Sequence, residues 1–370
     1  MLLFTPGPTP VLEKVRAAMS TPTIHHRTPE FESIFKEVKE KLQKFMNMQE
    51  VLMLASSGTG AMEACVANLC KSHALTINAG KFGERFGKIA KSFEIPYTEL
   101  SYSWDTPASK EDILNTIKSN PKIDAFFIQI CESAGGLRHE VEEIAKAIKE
   151  VNPNIMVVAD GITAVGVEKI DTTNIDALIT GSQKAFMLPP GLAMIGLSQK
   201  ATEKIENSSK GFYFNLAIEL KNQRKNTTAY TAATTLIIGL KAMFDEIENI
   251  GIEDFYKLTN LRAKASLEAL KSINLKIYPS NPAIAMSTIY HERAKEIRSL
   301  LKKKYSVNVA GGQDDLKDYL MRINNMGIIP FYEIAWVLNS IELVLHEMNI
   351  RNYDGSANKT FSQIIHEGLK

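Results

Sequence analysis

The apolar run Ala177-Leu-Ile-Thr180 delivers Lys184 through Gly181-Ser-Gln, and Pro189-Pro-Gly191 closes the loop behind it. A second apolar run, Ile155-Met-Val-Val-Ala159, ends on Asp160. A lysine held at the end of a buried strand loses the water that keeps an ammonium charged, and an uncharged amine forms an imine with an aldehyde. A carboxylate on a neighbouring strand end is what a heteroaromatic aldehyde cofactor needs to keep its ring nitrogen protonated. The pair points to Schiff-base chemistry. By itself Lys184 reads as one surface cation among 43 Lys and Arg residues, so the other strand ends decide.

Three more junctions carry polar or aromatic residues where an apolar run stops. Ser56-Ser-Gly-Thr-Gly60 opens the helical stretch Ala61-Met-Glu-Ala-Cys-Val66. Unpaired amides at a helix start, with the Ser57 and Thr59 hydroxyls, make a cradle for a phosphate; the plain alternative is an N-cap after a glycine turn. The stretch is neither a Walker loop nor GxGxxG, so nucleotide binding is not indicated. Ile130-Cys-Glu-Ser-Ala-Gly-Gly136 offers Ser133 as a donor to a phenolic oxygen, with Glu132 expected in solvent beside a Gly-Gly turn. Asn78-Ala-Gly-Lys-Phe-Gly-Glu-Arg85 sets Phe82 between glycines, as a ring that stacks on a flat heterocycle or simply joins the core.

Those junctions must be held by an alternation of strands and helices. The pattern predicts strands over Val51–Ala55, Leu75–Asn78, Ile123–Ile130, Ile155–Asp160, Ala177–Thr180 and Ala193–Leu197. Amphipathic helices lie between and before them: Phe31, Ile34, Phe35, Val38, Leu42 and Phe45 recur at helical spacing, as do Val141, Ile144 and Ile148. Such alternation implies an α/β fold with a mainly parallel sheet and helices on both faces. Ligands in these sheets bind outside the carboxyl ends of strands, where every candidate above sits. After about residue 240 long helices (about 232–248, 252–272 and 330–347) surround short strands near Ile284–Ile289 and Tyr319–Ile323, the pattern of a smaller α+β domain. The 370 residues thus divide into a large domain, 15–240, and a small one, 241–370.

Composition narrows the function classes. A net charge of +1 gives no electrostatic case for nucleic acid or for an anionic membrane surface. The three cysteines have no metal-ligand spacing, so no metal is expected, and a packed Cys65 fits a reducing compartment. The N-terminus carries neither a signal peptide nor an anchor, and a cytoplasmic location is expected.

Read in order, Thr5-Pro-Gly-Pro-Thr-Pro10, His26-Arg-x-x-Glu-Phe31, Ser57-Gly-Thr-Gly-Ala-Met-Glu63, Asn78-x-Gly-x-Phe-Gly-Glu-Arg85 and Glu132-Ser-x-Gly135 form one series of landmarks. Ala159-Asp-Gly-Ile-Thr-Ala-Val-Gly166, Gly181-Ser-Gln-Lys-Ala185, Pro189-Pro-Gly191 and Arg322-Ile-x-x-Met-Gly327 continue it. Across nearly the whole chain this series resembles the class V, fold-type I aminotransferases that use pyridoxal phosphate, most of all their serine–pyruvate and alanine–glyoxylate branch. The resemblance implies that Lys184 carries the cofactor and moves a proton, with Asp160 at the ring nitrogen and Phe82 stacked on the ring. It implies Ser133 and Gln183 at the phenolic oxygen, a phosphate cradle of Ser57, Gly58 and Thr59, and Arg322 gripping the substrate carboxylate as a bidentate fork. Gly7 and Arg27 fall on the substrate side, and the N-terminal segment 1–14 joins the small domain. Thr231 is expected to reach the phosphate of a neighbouring subunit, which makes the protein a homodimer with shared sites.

Two departures stand out: Thr231-Ala-Ala233 where such proteins have Thr-Pro-Pro, and Asn324-Asn325 where Gly-His is common. The expected reaction moves an amino group from serine or alanine to a small 2-oxo acid by a ping-pong route. Phosphoserine with 2-oxoglutarate is the alternative, with His25, His26 and Arg27 as the extra cations. A cysteine desulfurase fits poorly, because no cysteine follows Cys131. A non-catalytic subunit fits poorly with Lys184, Asp160 and Arg322 all present.

Overall fold

The computed structural model describes residues 1–370, the side chain of Ser208 excepted. Its strands are β1 (Leu2–Phe4), β2 (Glu50–Leu54), β3 (Ala74–Asn78), β4 (Tyr97–Ser101), β5 (Ala125–Gln129), β6 (Cys131–Glu132), β7 (Leu137–Arg138), β8 (Met156–Asp160), β9 (Ala177–Gly181), β10 (Ala193–Leu197), β11 (Lys276–Ile277), β12 (Met286–Tyr290), β13 (Val307–Val309) and β14 (Leu320–Asn324). The helices are α1 (Glu13–Met19), α2 (Pro29–Met46), α3 (Gly58–Leu69), α4 (Gly83–Ser92), α5 (Lys110–Ser119), α6 (Val141–Val151), α7 (Gln199–Ser208), α8 (Leu216–Gln223), α9 (Thr234–Ile250), α10 (Ile252–Ser272), α11 (Ala294–Tyr305), α12 (Phe331–Glu347) and α13 (Ser356–Gly368).

Seven strands form the main sheet in the order β2-β10-β9-β8-β5-β3-β4. All pairs are parallel except the two made by β10. Side chains alternate across a strand, so each strand feeds two cores. Val51, Ile77, Phe126, Ile128, Val157 and Leu178 face a core covered by α2, α5, α6 and α9. Leu52, Ala125, Phe127, Val158, Ile179 and Ile195 face the opposite core, under α3, α4, α7 and α8. Burying one such Phe or Ile stabilises the fold by about 1.5–3 kcal/mol, which is why both faces are apolar. The mainly parallel sheet with helices on both sides is as the pattern required.

The edge strand β4 escapes the pattern. Its Tyr-Thr-Glu-Leu-Ser has no fully buried residue, so burial left no apolar periodicity to read. Beyond the sheet, a third core gathers Phe4 with Ala265, Ile297, Leu301, Ile323, Val337, Ile341 and Phe361. Phe4 reaches it because β1 pairs in parallel with β13, Leu2 opposite Val307. Lys302, Lys303 and Lys304 close α11, where cations suit the helix dipole. No described helix is long and apolar enough to cross a membrane.

Candidate active site

Asp160 is the last residue of β8, in register with Gln129 on β5 and Ile179 on β9. Lys184 follows the end of β9 by three residues, and α3 begins four residues past the end of β2. These strand ends surround a cavity of about 290 Å3 whose lining includes Ser57, Gly58, Thr59, Phe82, Asp160 and Lys184. Gly7, Ser133 and Gln183 line it too. Nine sequence-predicted residues, drawn from positions 7 to 184, thus meet in one place.

Each wall has a local cause. Ser57 is the N-cap of α3, yet its side chain makes no capping bond, and the amides of Gly58 and Thr59 precede the helix's own ladder. Gly58 is closely packed, since a Cβ there would come within 2.4 Å of the Ile162 side chain. On the other side, Gly7 adopts φ +116, and a Cβ on it would lie 2.4 Å from Lys184 Nζ. The segment after β1 is stapled to the lysine loop: Thr9 Oγ1 donates to the Lys184 carbonyl at 2.7 Å, and Thr9 N donates to the Gln183 carbonyl at 3.1 Å. Lys184 Nζ donates to the Pro6 carbonyl.

Burial sets the charge states. It lowers Lys184 to about 8, with the Arg322 guanidinium adding to the effect. It pushes Asp160 up to about 6, against the hydrogen bond from Ile162 N at 3.0 Å. A cation placed beside that carboxylate would draw it back down. Glu132 was expected in solvent and is instead fully buried. Its carboxylate accepts from Phe82 N at 3.1 Å, Gly83 N at 2.7 Å and Ala134 N at 2.9 Å, fixing the start of α4 and with it the Phe82 ring. Desolvation nonetheless raises it to about 7. The solvated reading failed because two of the three amides that hold Glu132, those of Phe82 and Gly83, lie 50 and 49 positions away in sequence.

Three other expected residues lie outside the cavity lining of their own chain. Arg322, on β14, is buried, and its Nε donates to the Gly311 carbonyl at 2.6 Å. Its Nη1 donates to the carbonyl of Ser133, which lines the cavity. No carboxylate is among these hydrogen-bond partners, and burial holds its pKa down to about 10. Thr231 is exposed between α8 and α9, in a separate depression with Tyr213 and Tyr230. Arg27 donates to Thr227 Oγ1 at 2.9 Å, beside that same connection.

Two residues missing from the expected set complete the cavity's surroundings. Arg85 lines it, donates to Thr59 Oγ1 at 2.8 Å, and lies 5.0 Å from the Phe82 ring centre. Its spacing of three from Phe82 on one helix was the available signal. Gln129 donates to the Phe82 carbonyl at 2.9 Å and reaches Asp160 Oδ2 at 3.5 Å. An amide ending the otherwise apolar β5 was its signal.

Comparison with known proteins follows this geometry. Residues 4–329 match the family model for class V aminotransferases. The chain is 55% identical over 368 residues to an uncharacterised aminotransferase of Helicobacter pylori, covering 99% of this chain and 100% of that one. It is 27% identical to the serine–glyoxylate aminotransferase of Hyphomicrobium methylovorum, over 96% of this chain and 92% of that one. Among solved structures, the subgroup IV aspartate aminotransferase of Thermus thermophilus superposes with a TM-score of 0.86 at 30% identity, covering 94% of this chain and 99% of that one.

Proposed function

The chain belongs to the class V aminotransferases, and from that premise we propose that it is a pyridoxal phosphate enzyme moving an amino group from serine or alanine to a small 2-oxo acid such as glyoxylate or pyruvate. The observation that carries this reading is the shared cavity of Lys184 and Asp160 at the mouth of α3. The residues fit the cofactor's chemistry: an uncommitted Ser57 hydroxyl and first-turn amides suit a phosphate, and a buried carboxylate suits a ring nitrogen. Ser57, Gly58 and Thr59 would hold the phosphate, Phe82 the ring face, Ser133 and Gln183 the phenolic oxygen. When bound, the cofactor supplies a sink for the electrons left on the donor's α-carbon.

The chain's own groups do the rest. Lys184 Nζ, lowered to about 8, changes protonation near neutral pH and so can take a proton from the α-carbon and return one during the same turnover. Asp160 keeps a proton on the ring nitrogen, which makes the sink effective. Arg322 presents its guanidinium to the α-carboxylate that donor and acceptor share, so one site serves both halves of a ping-pong cycle. The Hyphomicrobium relative's name supports glyoxylate as acceptor. We further propose a cytoplasmic homodimer; three buried, unpaired cysteines support a reducing compartment.

The test is a half-reaction screen, following the cofactor's absorbance with serine, alanine, aspartate, glutamate and phosphoserine, each in single turnover. Fast conversion by serine or alanine is expected. Borohydride reduction should fix the cofactor on Lys184 in the wild type, as peptide mass shows, and not in Lys184→Ala. Protein that takes up no pyridoxal phosphate ends the reading. Phosphoserine with 2-oxoglutarate is the second reading, favoured by the Arg27 guanidinium beside the Thr231 connection. Arg27→Ala separates the two: it should slow phosphoserine alone if that is the donor, and leave the ranking of donors unchanged if it is not.

A further inference from the structure

Between α9, α10 and the segment leading from β14 into α12 lies a second cavity, of about 210 Å3. Ile250, Phe255, Leu258, Ile328, Phe331 and Arg262 line it, and none of its lining residues belongs to the Lys184 cavity. Arg262 is the only charged side chain in that lining. A guanidinium keeps its charge even when desolvated, so an apolar wall around it demands an anionic partner.

Arg262 has none among the described residues. Its Nη2 donates to Thr259 Oγ1 at 2.7 Å and to the Gly327 carbonyl, and its Nε finds no acceptor. No carboxylate is among its hydrogen-bond partners, and burial holds its pKa down to about 10. Two half-buried guanidiniums elsewhere are paired, Arg138 with Glu142 and Glu168, and Arg351 with Glu342. Among the described residues only Arg262 and Arg322 are buried arginines, and neither has a carboxylate bound to it. Arg322 is the residue proposed above for a substrate carboxylate, and Arg262 is likewise a buried guanidinium bonded only to uncharged groups, here with one N–H unpaired and in a cavity with apolar walls.

We propose that this cavity is a second carboxylate site, which takes a short aliphatic monocarboxylate. The acid's oxygens meet Arg262, and its chain lies against Phe255, Leu258 and Phe331. The volume is several times the ~30 Å3 share of one water, which leaves room for a tail and not merely for an ion. The site backs onto the catalytic loop through Gly327, where a Cβ would meet Met187 Sδ at 2.6 Å, three residues past Lys184.

The probe is hexanoate, titrated calorimetrically into the cofactor-loaded full-length protein, with hexan-1-ol and hexylamine as controls. One saturable hexanoate site per chain is expected, and no saturable heat from either control. Arg262→Met should weaken hexanoate about tenfold or more. Leu258→Trp should do the same by filling the cavity while leaving the guanidinium in place, so the proposal remains testable if Arg262→Met does not fold. Arg322→Gln should leave hexanoate affinity unchanged. The proposal is overturned if wild type shows no saturable binding, or if binding survives Leu258→Trp. Loss of binding in Arg322→Gln would place the acid in the substrate cavity and overturn it equally.

Discussion

Gly7 shows how a single hydrogen in place of a side chain can gate chemistry. Its φ of +116 and the Lys184 side chain beside it leave no room for a Cβ. Gly7→Ala should therefore combine backbone strain of about 1–3 kcal/mol with a displaced Lys184 Nζ. We expect kcat to fall at least tenfold with the far-ultraviolet spectrum unchanged; wild-type turnover in this variant would mean that the segment moves aside freely. His139 carries a different prediction. It is buried, its Nδ1 accepts from Ala108 N at 3.1 Å, and burial, with Arg138 adding, lowers it to about 4. The unfolded chain takes up this proton near 6.5 and the folded chain only near 4. Its contribution to stability is complete above about 6.5 and is lost as pH falls towards 4, by about 3 kcal/mol in all. Urea melts of wild type and His139→Gln, which keeps an acceptor without the titration, should diverge across that window. Parallel pH profiles would show that His139 takes up its proton as readily in the fold as in the unfolded chain.

At the scale of elements, the cofactor cavity depends on where two helices begin. The start of α4 is fixed by a carboxylate from a different strand end, Glu132, which holds Phe82 N, Gly83 N and Ala134 N. Glu132→Ala leaves the buried Gly83 and Ala134 amides and the half-buried Phe82 amide without this acceptor, and each buried one costs about 1–3 kcal/mol. The variant should melt at clearly lower urea, and cofactor affinity should fall with it because Phe82 is released. Glu132→Gln should recover part of the stability through its remaining carbonyl. If Glu132→Ala matches wild type in both measurements, water replaces the carboxylate and the helix start is not its work. The start of α3, in contrast, has an N-cap side chain with no local duty, which is what an anion cradle looks like before its anion.

At the scale of the molecule, Thr231 is exposed on its own chain and is not among the residues that line the cavity. The homodimer with shared sites proposed above would give it a function. Mixing Lys184→Ala with Thr231→Glu, each inactive alone, should restore roughly a quarter of wild-type activity, since random exchange makes half the dimers mixed and each has one intact site. No recovery after verified exchange would confine each site to one chain. The division near residue 240 into two domains is likewise a proposal. α9 straddles it, with Ile237, Leu240 and Phe244 in the large core, and limited proteolysis of the α9–α10 junction would locate the joint.

The sheet, its helices on both faces and the cluster of strand-end residues were legible because burial imprints them locally. An interior strand must be apolar on both faces, and a strand-end loop must carry glycine, proline or a polar side chain within a few positions. That logic marked Lys184, Asp160, Ser57, Thr59, Phe82 and Ser133 as candidates, and the family resemblance added Gly58 and Gln183 and joined them as one set. It did not reach the edge strand β4, which buries too little to show a period, nor the placement of Glu132, whose partners Phe82 and Gly83 lie 50 and 49 positions away. The bonds from Lys184 to Pro6, 178 positions apart, and from Arg322 to Ser133, 189 apart, were decided only by the tertiary structure. So was the solitude of Arg262. Whether a buried charge has a partner is a property of the space around it, and no spacing along the chain records that space.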